Sequence, residues 1–188
     1  MEAVVAKKIV HYGDPLLRKK ARVVPEVTPE IQSRIDEMIE TLRAASGVGL
    51  AAPQVGVSLQ VIVWDVGDGV GALVNPKIIR QSGEQYGPEG CLSIPGLQGD
   101  VSRPSRVTVR GLDRTGKEVR ISGEDLMARC LCHEIDHLQG VLFIDHADQQ
   151  SLRWTTTGEE EELEEFAERE EEAPAEEVRR RQPIQRRR

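Results

Sequence analysis

The chain has 188 residues, 38% of them hydrophobic, and a formal net charge of −7, enough for one domain with a proper core and too short for two. Residues 159–188 hold 12 Glu and 7 Arg, so the other 158 carry 18 basic against 20 acidic residues and are nearly neutral. That balance excludes a basic nucleic-acid-binding face as the main function. The lack of any long apolar run excludes a membrane span, and three cysteines without an export signal point to the cytoplasm and free thiols.

Residues 4–25 read as a short strand, a turn at Gly13, Asp14 and Pro15, and a basic helical turn. Thr28 followed by Pro29 is a helix start, with Thr at the N-cap and Pro at the first helical position. Ile31, Ile35, Met38, Ile39 and Leu42 recur at helical spacing, so one face is buried until Gly47 stops the helix. Strands are expected over 59–65, 72–74, 106–110 and 118–121, the last two joined as a hairpin by the turn at 113–116. Ser122 is the expected cap of a second helix, with Glu124 and Asp125 in its first turn and an end near Gln139, before Gly140. One early helix, a run of strands and one late helix make an α+β domain. Beyond Trp154 the pattern dissolves into a glutamate run and an arginine-rich end. The expected division is one folded domain over 1–158 and a charged tail over 159–188. Such blocks are solvated and disordered as a rule, and the arginines leave a contact with ribosomal RNA open.

The chemistry centres on His133-Glu134-Ile135-Asp136-His137, an HExxH on a helix. Spacing of i, i+4 puts both imidazoles on one face, one turn apart, where they can hold one metal ion. Glu134 beside them is placed to exchange a proton with a water on that ion. A catalytic site of this kind needs a third protein ligand. The longer HExxHxxGxxH pattern fails, because Phe143 stands where its third histidine belongs, and the low-complexity run at 159–162 hides any downstream glutamate. His11, His146 and the three cysteines remain. Cys91 stands out in a loop punctuated by Gly87, Pro88 and Gly90, where exposed functional thiols occur. Cys130 shares the helix stripe of Leu126, His133 and His137 and reads as a small apolar wall residue. Cys132 is about 100° around the helix from His133 and cannot share its metal. In the segment 47–56, glycines permit close backbone approach, and Gln54 can aim an amide N–H at a developing oxyanion.

Taken in order, GVGLAAPQ at 47–54, EGCLS at 89–93 and HEIDH at 133–137 resemble the peptide deformylase family. The likeness extends through 11–18 and 140–145, covers roughly residues 8–150, and leaves the tail aside. It implies antiparallel β-sheets packed around a central HExxH-bearing helix, and a metal held by Cys91, His133 and His137 with water as fourth ligand. Fe(II) is the implied ion, one per chain, with Zn(II), Ni(II) or Co(II) as substitutes. The implied catalytic groups are Glu134 for proton transfer, and Gln54 with the backbone N–H of Leu92 for the oxyanion. The implied substrates are N-formylmethionyl peptides of nascent chains, cleaved to formate and a free amino terminus. Val48, Gly49, Gly90, Leu126 and Cys130 are the implied substrate-binding residues, with peptide backbone pairing along Val48 and Gly49. The methionine side chain would lie among Val48, Leu92, Leu126, Cys130 and His133. A monomer with no membrane attachment is expected.

Cys132 stands where many family members carry Gln, Arg129 where some carry an apolar pocket residue, and Gln98 at a position that is often Arg. These departures bear on fine specificity. Two other readings use the same HExxH. A general zinc endopeptidase would need a histidine or carboxylate in place of Cys91 and leaves 47–54 without a role. A purely structural metal would need a closed set of four protein ligands.

Overall fold

The computed structural model describes residues 5–67 and 69–155. The domain boundary expected at 158 and the charged tail lie outside them. In chain order the elements are α1 (Pro29–Ala44), β1 (Gly49–Ala51), β2 (Val61–Asp65), β3 (Val70–Ser82), β4 (Gln85–Cys91), β5 (Ile94–Arg103), β6 (Arg106–Leu112), β7 (Glu118–Glu124), α2 (Asp125–Gln139) and β8 (Arg153–Trp154). An antiparallel sheet runs in the order β1-β2-β3-β6-β7, and a smaller sheet in the order β4-β5-β8, in which β4 and β5 are antiparallel. Among the described residues no helix is long and apolar enough to cross a membrane.

Strand β2 explains the layering. Val61, Ile62, Val63 and Trp64 are all buried, so both faces of the sheet are covered. Alternate residues point to opposite faces. Val61 and Val63 share a core with Ile31, Ile35, Met38 and Leu42 of α1, whereas Ile62 and Trp64 share one with Ala128, Leu131 and Leu138 of α2. A third cluster of Leu17, Ile94, Val101, Leu142 and Phe143 lies with the smaller sheet. Helix α2 is thus the central one, packed on the inner face of the larger sheet.

The first helix follows its sequence signals: Thr28 accepts from the N–H of Ile31, Pro29 opens the first turn, and Ile31, Ile35, Met38 and Leu42 are buried with Ile39 partly so. Its end lies earlier than expected, with Ser46 rather than Gly47 in the left-handed region (φ 50°). The second helix begins later. Ser122 belongs to β7, where its hydroxyl pairs across the strands with Thr108 (3.2 Å), and Glu124 occupies the N-cap without a side-chain capping bond. The N–H of Asp125 is taken by the Ser105 carbonyl instead (2.9 Å). Residues 5–10 form no strand, although Val10 N–H reaches the Gln54 carbonyl (2.8 Å). Strand β3 is far longer than the expected 72–74, because an irregularity between Val74 and Lys77 carries it past Pro76.

Gly140 ends α2 at φ 76°, its N–H bonded to the carbonyls of Asp136 and His137. A Cβ there would stand 2.5 Å from the carbonyl oxygen of Arg18, so the turn at 15–18 can seat against the helix end only with glycine. Gly140→Ala should therefore lower the unfolding free energy by about 2–4 kcal/mol, measured by denaturant titration. A loss below about 0.5 kcal/mol would show that this close approach is not maintained in solution.

Candidate metal centre

His133 and His137 lie one turn apart on α2, both buried, with ring centroids 4.9 Å apart and planes at 76°. Their Nε2 atoms are 3.2 Å from each other. Cys91 closes β4 at the point where its pairing with β5 shifts register, and its Sγ lies 3.2 Å from His137 Nε2. One ligand atom from each of these three residues falls within 4.8 Å of the others. Two imidazole nitrogens on one tetrahedral ion at ~2.05 Å stand about 3.3 Å apart, so the donor set fits a single metal. The segment before Cys91, read as a loop from its glycines and Pro88, is strand β4.

The two imidazoles stand in different electrostatic surroundings. Burial opposes charge on both imidazoles, yet Cys91 and Glu89 hold His133 well above its ordinary value. Burial and the neighbouring His133 push His137 well below its own, which keeps a lone pair available. Glu134 is buried, its Oε2 has no hydrogen-bond partner among the described residues, and burial pushes its carboxyl up to about 7. A carboxyl near the midpoint of its titration at neutral pH can both take and return a proton.

Gln54 is fixed in one orientation. Its Oε1 accepts from the N–H of Ala51 (2.8 Å), so its Nε2 faces Cys91 Sγ (3.4 Å) and Ser93 Oγ (3.3 Å). Gly49 runs beside α2, and Cys130 donates from Sγ to the Val48 carbonyl (3.4 Å). Burial raises the Cys130 thiol, as it raises Cys132, pushed up to about 11. Neither is part of the donor group, nor are His11 and His146. Val48 and Leu126 are about half exposed, at 45% and 51%. The Leu92 side chain lies against Gly47, and Gly90 pairs with Gln98 across β4 and β5.

A profile of the polypeptide deformylase family matches residues 6–153. The chain belongs to the polypeptide deformylase family. Peptide deformylase of Alkaliphilus metalliredigens is 60% identical over 132 residues, covering 70% of this chain and 90% of that one. The Carboxydothermus hydrogenoformans enzyme is 52% identical over 141 residues, 75% of this chain and 93% of its own. Among solved structures, peptide deformylase of Thermotoga maritima superposes with a TM-score of 0.74 at 40% identity, covering 76% of this chain and 98% of that one. The Synechococcus elongatus enzyme, in complex with actinonin, gives 0.73 at 40% identity over 79% and 87%. Deformylase activity, the hydrolysis of a formamide at a peptide amino terminus, follows from that membership.

Sequence reasoning about this deformylase missed the groups behind the donors. Glu89 is buried, and its Oε2 accepts from His133 Nδ1 (3.0 Å). That bond leaves Nε2 free to face the other donors and sets the ring's tilt. Burial opposes the Glu89 charge, but hydrogen bonds from His133 and Arg103 hold its carboxyl down at about 2. Arg103 grips it with two nitrogens (2.9 and 3.1 Å) and reaches Asp136 with the third (2.6 Å). Two signals were present: Glu89 is a carboxylate inside the EGCLS motif, and Asp136 lies inside HEIDH. Arg103 carried none, since only the pairing of β4 with β5 brings it near.

The same structure gives Gly49 a second task. A Cβ there would stand 2.4 Å from Glu134 Oε1 and 2.7 Å from Cys130 Sγ. Its backbone angles suit alanine, so the cost of Gly49→Ala falls on the carboxylate it displaces. We expect kcat to drop about 10–100-fold with metal content unchanged, read by steady-state kinetics and metal analysis. An unaltered kcat would mean that Glu134 can sit elsewhere and still work.

Proposed function

We propose that the chain removes the N-formyl group from the N-terminal formyl-methionine of nascent polypeptides, with one divalent ion held by Cys91, His133 and His137. The observation that carries this reading is the convergence of one sulfur and two imidazole nitrogens beside a buried carboxylate. A bound ion would supply Lewis acidity toward the formyl oxygen and lower the pKa of a water. A soft thiolate with two imidazoles suits Fe(II) and also accepts Zn(II), Ni(II) or Co(II).

Glu134 takes a proton as water oxygen bonds to the formyl carbon. It returns that proton to the amine nitrogen as the carbon–nitrogen bond breaks, so that formate and a free amino terminus leave. Gln54, its amide oriented by Ala51, turns an N–H toward the oxygen on which negative charge develops, together with the backbone N–H of Leu92. Strand β1 is an edge of its sheet, which supports pairing of an extended peptide along Val48 and Gly49 with Gly90 close by. Val48, Leu92, Leu126, Cys130 and His133 then surround the methionine side chain, an apolar and sulfur-bearing wall suited to a thioether. The reading has the enzyme acting as a monomer in the cytoplasm. The arginines within 159–188, outside the described residues, are its proposed ribosome contact.

Protein prepared anaerobically with Fe(II) should release formate from formyl-Met peptides. Glu134→Gln should bind the same amount of metal and lose turnover by about 10²–10⁴-fold, because the amide cannot shuttle protons. Substantial formate release by a metal-replete variant would overturn the role of Glu134.

A further inference from the structure

Arg129 lies on α2, four residues before His133 and therefore on the same face. Its side chain is almost fully buried, with 11% exposed. It turns to the β4–β5 hairpin, where its Nη1 reaches Glu89 Oε1 (2.8 Å), the carbonyl of Val101 (3.0 Å) and the carbonyl of Gly87 (3.2 Å). Glu89 therefore accepts from four groups: two nitrogens of Arg103, one of Arg129, and His133 Nδ1. That number fills the acceptor sites of a carboxylate.

The two arginines are not equivalent. Arg103 stands on β5, in the same hairpin as Glu89, so their ion pair is internal to that hairpin. Side chains of four α2 residues reach the hairpin, Arg129, His133 to Glu89, Asp136 to Arg103, and His137 to Cys91, while the exposed Asp125 carbonyl accepts from Gln85 (2.8 Å). Two of those four residues are donors of the metal centre, and Asp136 is partly exposed and shared with His146 (3.1 Å). Arg129 is the buried link that is not itself a donor, and it bonds a carbonyl from each strand.

We propose that Arg129 is a positioning residue for the metal centre, acting through Glu89 on the tilt of His133 and through the Gly87 and Val101 carbonyls on the placement of Cys91. This rests on the proposed ligand set of Cys91, His133 and His137. Arg129→Met keeps the length and removes the charge and the fork; Arg129→Lys keeps the charge alone. Co(II) is the probe, with affinity measured by chelator competition and the site read from the absorption spectrum of the Co(II) protein.

Arg129→Met should weaken Co(II) binding about 10–100-fold, shift the Co(II) ligand-field bands, and lower kcat with KM for a formyl-Met peptide little changed. Arg129→Lys should recover part of the affinity. If Arg129→Met folds with a lowered melting temperature but keeps the wild-type Co(II) spectrum and affinity, Arg129 is a structural strap only and the proposal fails. The ligand set is tested separately. A wild-type Co(II) protein without thiolate-to-metal charge transfer would refute Cys91 as a donor, whatever Arg129 does.

Discussion

A carboxylate buried where two parts of the chain meet is the constraint on which the site depends. An isolated charge at the position of Glu89 would cost several kcal/mol, and the fold meets that cost with two guanidinium groups and an imidazole. The arrangement holds only if β4, β5 and α2 are all in place together, because its partners come from both the hairpin and the helix. Removing any one leaves a buried charge under-satisfied. The network therefore joins two segments about forty residues apart, and it does so beside the three donor atoms that must converge.

The sheets serve that convergence. Strand β2 is covered on both faces, by α1 on one side and α2 on the other, so α2 cannot move without disturbing the inner core. The smaller sheet brings Cys91 to the end of its first strand, where the register shift releases the chain into a turn at Leu92 and Ser93. Gln54 sits on the short turn after β1 and touches both Cys91 and Ser93. Three separate elements thus meet at one point, each held by the packing behind it. Strand β1 lies beside them at the edge of its sheet, with its Ala51 N–H held by Gln54.

Much of this was legible in the sequence, and what was not has physical reasons. The i, i+4 spacing of His133 and His137 is a property of the helix itself, and the periodic apolar positions of α1 appear where expected. Strands β4 and β5 were hidden because Gly87, Pro88, Gly90, Pro95 and Gly96 look like punctuation, although an edge or irregular strand accepts them. Ser122 looked like a cap because a hydroxyl before two acids is one in most contexts; here it is a cross-strand partner of Thr108. Arg129 was visible only as a departure at a pocket position. A helix wheel does not say which neighbour a long polar side chain will find, and its partners belong to strands that local signals had missed.

The central claim is that one sulfur and two imidazoles of this chain hold the metal. X-ray absorption at the metal edge of the loaded, substrate-free protein reads that donor set directly. The account predicts one sulfur scatterer at about 2.3 Å and two imidazole nitrogens at about 2.0–2.1 Å, the distances of a zinc-type site. The nitrogens should carry the outer-shell scattering of histidine rings. A first shell of nitrogen and oxygen alone, without sulfur, would contradict it.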